Sequence, residues 1–288
     1  MSIIDQHVED DWAMYHGDCI EALAGIPDQS AGYSIFSPPF SSLYTYSDSD
    51  RDMGNCRDDA EFMTHFGYLV DQLFRVMKPG RDVSFHCMLL PTSKAMHGVI
   101  GLRDFRGELI RCFESRGFVF HSEVVIWKDP VTAMQRTKAL GLLHKTVRSN
   151  ASMSRQGIPD YLVTMRAPGD PIDRVTHDPD QYPVSKWQAV ASPVWMDINP
   201  SDTLQFRSAR EHDDERHICP LQLEVIRRGI DLWTNPGDVV LSPFAGIGSE
   251  GYVALEMGRK FIGVELKESY YRQAVSNIGM ARAQGGLF

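Results

Sequence analysis

The chain has 288 residues, 43% of them apolar, and a formal net charge of −9 at pH 7. This length is typical of one large α/β domain with an insertion, or of two small domains. The net negative charge, taken alone, argues mildly against a nucleic-acid partner, and no apolar run approaches the roughly 20 residues that span a bilayer.

The cysteines and the N-terminus indicate the cellular compartment. The five cysteines are odd in number and form no CxxC pair, so we predict neither a disulfide framework nor a zinc site. The acidic N-terminus lacks the basic-then-apolar pattern of a secretory signal. We therefore expect a soluble, cytoplasmic protein that binds neither a membrane nor a metal.

The first part of the chain alternates strand and helix patterns. Residues 12–40 predict a strand, a turn at Gly17-Asp18, a helix over 19–23 and a strand over 33–36. Apolar residues recur every three or four positions in residues 59–78, which predicts an amphipathic helix that Pro79-Gly80 ends. A strand over 83–88, a helix over 103–116 and a strand or strand pair over 118–127 follow.

The pattern weakens in the middle of the chain and returns near its end. Residues 129–212 hold scattered Pro, Gly, Ser and Asp with little periodicity, which indicates a loop-rich insertion. We predict a helix over 219–233, a strand over 239–241, a helix over 248–257 and a strand over 260–264. Strands that alternate with helices predict an α/β fold with a doubly wound, mostly parallel sheet.

A rigid corner follows the predicted strand that ends at Phe36. It reads Ser37-Pro38-Pro39-Phe40. Two adjacent prolines remove two backbone donors and fix two φ angles. The corner therefore offers a hydroxyl, free carbonyls and an aromatic face, which together suit the binding of a flat polar group.

A glycine-containing loop near the C-terminus predicts a nucleoside site. Gly246 and Gly248 follow a strand and precede a helix, and the next strand ends in Glu265. Glycines let a ligand approach the backbone at strand ends, and such an acid can accept both ribose hydroxyls. With Gly251 the glycines also read GxGxxG, so a dinucleotide-dependent dehydrogenase stays open, although residues 242–244 would crowd a pyrophosphate.

Together, SPPF and SPFAGIGSEG resemble the motifs of the DNA methyltransferases that modify exocyclic amino groups, N4 of cytosine or N6 of adenine. The catalytic motif precedes the cofactor motif here, an order similar to that of the permuted β group. The resemblance implies a Rossmann-like sheet, S-adenosylmethionine as cofactor and double-stranded DNA as partner. It divides the chain into a catalytic half (12–128), a DNA-binding, target-recognition insertion (129–212) and a cofactor-binding half (213–280) that packs with the first half as one domain.

The resemblance also assigns site residues. Residues 16–23 look like the GDxxxxL stretch of the family, whose Asp contacts the cofactor adenine, and residues 216–220 look like its (K/R)HPxxxP-type segment. The chain departs from the family at Ser242, where Asp is usual, and at Cys219, near where proline is usual. The implied catalytic residues are Ser37, Pro38, Pro39 and Phe40, and the implied cofactor-binding residues are Asp18, Cys19, His217, Ser242, Phe244, Ala245, Gly246, Gly248 and Glu265.

The chemistry explains why the catalytic corner has this form. An exocyclic amine is a poor nucleophile, so acceptors that bind more strongly as its nitrogen becomes positive accelerate the reaction. Ser37 Oγ and the Pro38 carbonyl can accept the two N–H bonds. Phe40 can stack on the flipped base, which contributes ~1–3 kcal/mol against a similar cost of flipping. We do not expect a histidine to transfer a proton directly, because the candidates are far from one another in the sequence. These candidates are His16, His86, His97, His144 and His217.

A basic stretch predicts where DNA binds. Residues 131–168 carry six basic residues and one acid, which is six minus one, a local charge of +5. Such clusters make phosphate contacts. We further expect Tyr44, Tyr46 and residues 47–52 to form a mobile loop over the base. We also expect the DNA recognition sequence to be short or the sequence preference to be weak. The predicted DNA-binding residues are Arg136, Lys138, Lys145, Arg148 and Arg155.

Several alternatives stay open at this point. Ser37 slightly favours N4-cytosine, because N6-adenine members more often have Asp or Asn at that position. Methylation of RNA or of a small amine is an alternative activity, and so is an inactive nucleotide-binding homologue in which Ser242 has disabled cofactor binding. A homodimer is among the options for assembly. A restriction-modification partner, a phage-borne modifier and a regulatory methylase would look alike in sequence.

Overall fold

The computed structural model describes residues 3–40, 51–92, 94–131, 144–153, 155–180, 182–205 and 220–285, which form a mixed α/β fold. The strands, in chain order, are β1 (Ile3–Val8), β2 (Trp12–Gly17), β3 (Ala31–Phe36), β4 (Met77–Met88), β5 (Leu90–Thr92), β6 (Gly101–Arg103), β7 (Val119–Ile126), β8 (Asp160–Arg166), β9 (Val194–Trp195), β10 (Val239–Ser242) and β11 (Lys260–Glu265). The helices are α1 (Cys19–Ala24), α2 (Asp59–Val76), α3 (Lys94–His97), α4 (Phe105–Glu114), α5 (His144–Asn150), α6 (Val184–Ala191), α7 (Leu223–Trp233), α8 (Ser249–Glu256) and α9 (Glu268–Gly285).

Nine of these strands form one sheet with the order β1-β2-β11-β10-β3-β4-β8-β7-β9. Its centre, β2-β11-β10-β3-β4, is parallel throughout. β1 runs antiparallel to β2, and β8 runs antiparallel to β4 and β7. The predicted mostly parallel sheet is confirmed. We call the edge formed by the C-terminal ends of the five central strands the carboxyl edge.

Helices cover both faces of the sheet. One buried cluster joins the sheet to α2 and α4 through residues such as Phe66 and Phe113. A second cluster joins the opposite face to α7 and α9 through residues such as Ile226 and Ala274. A central parallel strand is buried on both faces, as β3 is at each of its residues 31–36. None of the described helices combines the length and the apolarity that crossing a membrane requires.

Aspartate side chains begin three of the helices. Asp18 Oδ1 accepts hydrogen bonds from the backbone amides of Ile20 and Glu21, both at 3.0 Å, at the start of α1. Asp58 caps α2 and Asp104 caps α4 in the same way. Such caps satisfy amides that have no partner within the helix and stabilise it by ~1 kcal/mol.

The structure contains elements that the sequence patterns did not predict. β8 lies within residues 129–212, the expected loop-rich insertion, yet it pairs along its length with β4 and β7. β1 precedes the predicted elements, and α9 follows them. The helix α2 ends at Val76, and β4 begins at the next residue, before the Pro79-Gly80 pair that was expected to end the helix.

Candidate active site

The catalytic corner and the glycine loop lie side by side at the carboxyl edge. β3 and β10 are parallel neighbours, with Ser34 opposite Leu241, so residues 37–40 and 242–248 follow adjacent strand ends. The rings of Phe36 and Phe244 pack with centroids 5.8 Å apart at 58°. The fold therefore brings together two motifs that are about 200 residues apart in the chain.

Glu265 holds the glycine loop in place. The Gly246 amide donates to Glu265 Oε2 and the Lys267 amide donates to Oε1, both at 2.8 Å. Burial raises the pKa of the Glu265 carboxyl to about 7. Gly246 and Gly248 both have positive φ, +52° and +84°. A Cβ at Gly246 would meet open space, so the backbone there is accessible to a ligand.

Polar groups without partners lie close to this loop in the chain. Ser242 Oγ and Ser249 Oγ are buried and have no hydrogen-bond partner among the described residues. Glu250, in the first turn of α8, is also buried, and burial raises the pKa of its carboxyl to about 8. Buried polar atoms normally have partners, so unpaired ones are consistent with a ligand site. This set of hydroxyls and carboxyls suits the ribose hydroxyls and the amino group of the expected cofactor.

The end of β2 brings Asp18 and Cys19 beside the loop. β2 is the parallel neighbour of β11, with His16 opposite Glu265. Asp18 Oδ1 is occupied by the cap of α1. Cys19 is buried, and burial raises the pKa of its thiol. The position suits a cofactor contact, and the contact itself stays a prediction.

Phe40 is held at the corner by two aromatic neighbours. Its ring meets the rings of Phe105 and His86 edge-on, each with centroids 6.4 Å apart. Pro38 is buried, while Ser37 and Phe40 are partly buried. These contacts limit the orientations of the Phe40 ring, which a stacking role requires.

Sequence reasoning did not single out His86, which lies against Ser37. The distance from Ser37 Oγ to His86 Nδ1 is 3.0 Å. The other ring nitrogen of His86, Nε2, lies 3.0 Å from Asp160 Oδ2, and Lys128 Nζ lies 2.5 Å from the same oxygen. We call His86, Asp160 and Lys128 the His86 cluster.

Strand pairing assembles the His86 cluster. Met88 of β4 and Ile126 of β7 both lie opposite Asp160, the first residue of β8. Burial opposes ionisation of Asp160, but the nearby His86 and Lys128 outweigh it and hold the pKa of the Asp160 carboxyl below its usual value. His86 and Ser37 are 49 positions apart in the chain, so no local spacing could have indicated this contact.

The connection between β7 and β8 carries the predicted DNA-binding residues that the structure describes. Because Ile126 lies opposite Asp160, residues 127–159 leave and rejoin the sheet at the carboxyl edge. Lys145 and Arg148 are exposed on α5, and Arg155 is partly buried just before β8. The other two predicted DNA-binding residues, Arg136 and Lys138, lie outside the described residues. The same is true of His217, Cys219, Tyr44 and Tyr46.

Arg166 does not join this basic segment in space. It contributes to the local charge of +5 in the sequence, but it ends β8 opposite Asp82, at the edge remote from Asp160. The seven residues of β8 put about 20 Å between its two ends. The acid of the stretch, Asp160, is buried and paired. Within the described ranges, no three His, Cys, Asp or Glu side chains come together as a metal site would require.

Comparisons with known proteins agree with this arrangement. The family model for N6/N4 DNA methylases, described as "DNA methylase", matches residues 33–276. Type II methyltransferase M.BglII from Bacillus subtilis is 26% identical over 262 residues, which cover 89% of this chain and 66% of that protein. The chain thus spans about two thirds of the length of this relative.

Solved structures show the same fold. A putative DNA modification methylase from Thermus thermophilus, complexed with S-adenosyl-L-methionine, has a TM-score of 0.68 at 19% identity, covering 93% of this chain and 95% of that one. PvuII DNA methyltransferase, cytosine-N4-specific, has a TM-score of 0.67 at 17% identity, covering 96% of this chain and 93% of that one. Because the family model matches well over half of the sequence, the chain belongs to the N6/N4 DNA methylase family.

Proposed function

We propose that this protein is a DNA methyltransferase that uses S-adenosylmethionine to methylate an exocyclic amino group of a flipped base, with N4 of cytosine favoured over N6 of adenine. The observation that carries the proposal is the position of the catalytic corner beside the glycine loop, where Phe36, directly before the corner, packs against Phe244 of the loop. Membership of the N6/N4 DNA methylase family supports DNA as the substrate.

Residues at the ends of β10 and β11 bind the methyl donor. S-adenosylmethionine supplies an electrophilic methyl group attached to a positively charged sulfur. Glu265 accepts hydrogen bonds from the ribose hydroxyls, since backbone amides use only part of the acceptor capacity of its two oxygens. Ser242 Oγ, buried and without a partner among the described residues, accepts a hydrogen bond from the amino group of the methionine part.

The catalytic corner binds the target amine. Ser37 Oγ and the Pro38 carbonyl accept the two N–H bonds, and these interactions strengthen as the nitrogen becomes positive during the attack. Phe40 stacks on the base. We favour cytosine N4 because a motif that begins with Ser resembles the N4-cytosine members, whereas N6-adenine motifs more often begin with Asp or Asn.

The connection between β7 and β8 binds the DNA backbone. Its Lys145 and Arg148 are exposed, and both of its ends lie at the carboxyl edge. Basic side chains tethered there can reach phosphates on either side of a flipped nucleotide. Arg155, together with Arg136 and Lys138, belongs to the same proposed contact set.

Methyl transfer to unmodified duplex DNA tests the proposal. The protein is incubated with labelled S-adenosylmethionine and DNA, and the digested nucleosides are identified by mass. We expect N4-methylcytosine, and we expect Ser37→Ala to lower the rate by about 10²–10³-fold while binding S-adenosylmethionine as the parent protein does. Detection of N6-methyladenine would show that the choice of cytosine is wrong, but it would still support methylation of an exocyclic amino group. Label in RNA alone, or in no nucleic acid, would overturn the proposed function.

A further inference from the structure

We propose that His86 is a positioning residue that fixes the Ser37 hydroxyl as a hydrogen-bond acceptor toward the base and then takes up the proton that leaves the methylated amine. Asp160 and Lys128 hold His86 in the form that this role needs. The inference rests on the proposed function and deepens it, because it concerns the same reaction at the same corner.

The first step of the argument concerns the proton on the imidazole. Nε2 faces the carboxylate of Asp160 at 3.0 Å, while Nδ1 faces the hydroxyl of Ser37 at 3.0 Å. A neighbouring carboxylate favours the proton on the nitrogen that faces it. The neutral ring therefore carries its proton on Nε2 and leaves the lone pair of Nδ1 toward Ser37. As a result, the Ser37 O–H donates to His86.

The direction of that hydrogen bond decides what Ser37 can do for the amine. A serine hydroxyl is both a donor and an acceptor, and it rotates to suit its partners. If its hydrogen pointed at the amine, it would engage the lone pair that must attack the methyl group. With the hydrogen directed to His86 Nδ1, the oxygen presents only lone pairs to the base. The attacking pair on nitrogen then stays free.

The second step concerns the proton that the reaction releases. The exocyclic nitrogen forms a bond to the methyl carbon, and the carbon–sulfur bond of the donor breaks with its electron pair left on sulfur. The nitrogen then loses one proton to Ser37 Oγ, as the original hydroxyl proton passes to His86 Nδ1. The products are a neutral methylamine, a neutral serine and an imidazolium. One positive charge has moved from sulfur to His86, so the site keeps its net charge.

Burial and charge prepare the His86 cluster for this role. Asp160 is only 2% exposed, and its pKa is lowered, so it is ionised and faces the ring. His86 Nε2 has no aligned hydrogen-bond acceptor among the described residues despite its short distance to Asp160. Catalytic hydrogen bonds are often misaligned before substrate binds, and a positive charge on the ring would draw it into line with the carboxylate.

The pH dependence of a single turnover tests the proposal. The charged group that faces His86 is Asp160 of β8, and Lys128 after β7 pairs with the same carboxylate oxygen. We expect the rate of the parent protein to fall on the acid side, because a protonated ring cannot accept from Ser37. The side chain introduced by His86→Asn can accept a hydrogen bond from the Ser37 hydroxyl, but it cannot take up the proton that the methylated amine releases. We expect this variant to be at least about 10²-fold slower and to lack the acid limb.

Controls separate this role from a structural one. His65→Asn alters a histidine of α2 that contacts Cys56 and Tyr68, and it should keep both the rate and the acid limb. Asp160→Asn should lower the rate, because the amide no longer favours the proton on Nε2 of His86. Binding of S-adenosylmethionine by calorimetry should be unchanged in all three variants. The ring ¹⁵N shifts of His86 in the parent protein should show an unprotonated Nδ1 and a protonated Nε2, whatever the activity.

Two results would overturn the inference. One is a His86→Asn protein with the parent rate and acid limb, and the other is a parent ring protonated on Nδ1 near neutral pH. Either result, in a protein that methylates DNA, would leave the proposed function standing. A parent protein that labels no DNA base would overturn the proposed function, and this inference with it.

Discussion

At the scale of single residues, the proposed cofactor role of Glu265 predicts that binding depends on pH. Its pKa is raised to about 7 because the carboxyl is desolvated. In the proposed complex the ribose hydroxyls donate to the ionised carboxylate, so the affinity for S-adenosylmethionine should rise with pH and level off above the pKa. Linkage limits the slope to about tenfold per pH unit for one proton. Calorimetry at pH 6, 7 and 8 measures this dependence.

Two variants identify the group responsible. Glu265→Gln should bind more weakly and lose most of the pH dependence. Glu250→Gln removes the neighbouring buried carboxyl, whose pKa is raised to about 8 by burial, and should keep the dependence near pH 7. If Glu265→Gln retains the slope and Glu250→Gln loses it, then Glu250 is the coupled group and the ribose role of Glu265 is wrong.

At this scale, sequence reasoning is best suited to residues that are neighbours in the chain. Ser37, Pro38, Pro39 and Phe40 form one corner, and Phe36, which directly precedes it, contacts Phe244 of the glycine loop. It did not find His86, because Asp160 and Lys128 reach that histidine only through the pairing of β8 with β4 and β7. Pairing between strands far apart in the sequence leaves no spacing to recognise.

At the scale of elements, the two glycines of the loop have different constraints. Both have positive φ, which costs a residue with a side chain about 1–2 kcal/mol. A Cβ at Gly248 would also lie 3.0 Å from Ala274 Cα of α9, whereas a Cβ at Gly246 would meet no atom within 4 Å. We expect Gly248→Ala to lower the free energy of unfolding more than Gly246→Ala does. Urea denaturation of both variants measures the difference, and equal losses would contradict a contact with α9.

The elements also show why some structure escaped sequence analysis. The helices α2 and α4 have capping aspartates and regular apolar spacing, and both were predicted. In α9 the buried face includes Asn277, whose Nδ2 donates to the Ile247 carbonyl at 2.8 Å. A pattern based on hydropathy does not recognise a polar residue as part of the core. β8 was hidden because its apolar run is short and lies between loop-rich segments.

At the scale of the whole molecule, local charge outweighs net charge in the proposed contact with DNA. The chain carries −9 overall, yet Lys145 and Arg148 are exposed on a segment anchored at the carboxyl edge. Each phosphate contact adds about 0.9 to the slope of log K against log salt. We expect the double variant Lys145→Ala, Arg148→Ala to bind duplex DNA more weakly and with a slope smaller by about 1 to 2.

Fluorescence anisotropy over a salt series measures these slopes. Arg272→Ala is the matched control, because Arg272 is 74% exposed on α9, in the C-terminal part of the chain. It should leave both the affinity and the slope as they are in the parent protein. An unchanged slope in the double variant would show that the phosphate contacts lie elsewhere on the surface.

The anchoring of residues 127–159 has a consequence for how such a protein can diversify. The two ends of this segment are hydrogen-bonded neighbours in the sheet, so its length does not affect the distance between them. The entropy cost of closing a loop grows only with the logarithm of its length, by about 0.6 kcal/mol for each doubling. Under the proposed function, a different segment that keeps Lys128 and Asp160 can replace this one, and the same catalytic core would then bind a different DNA sequence.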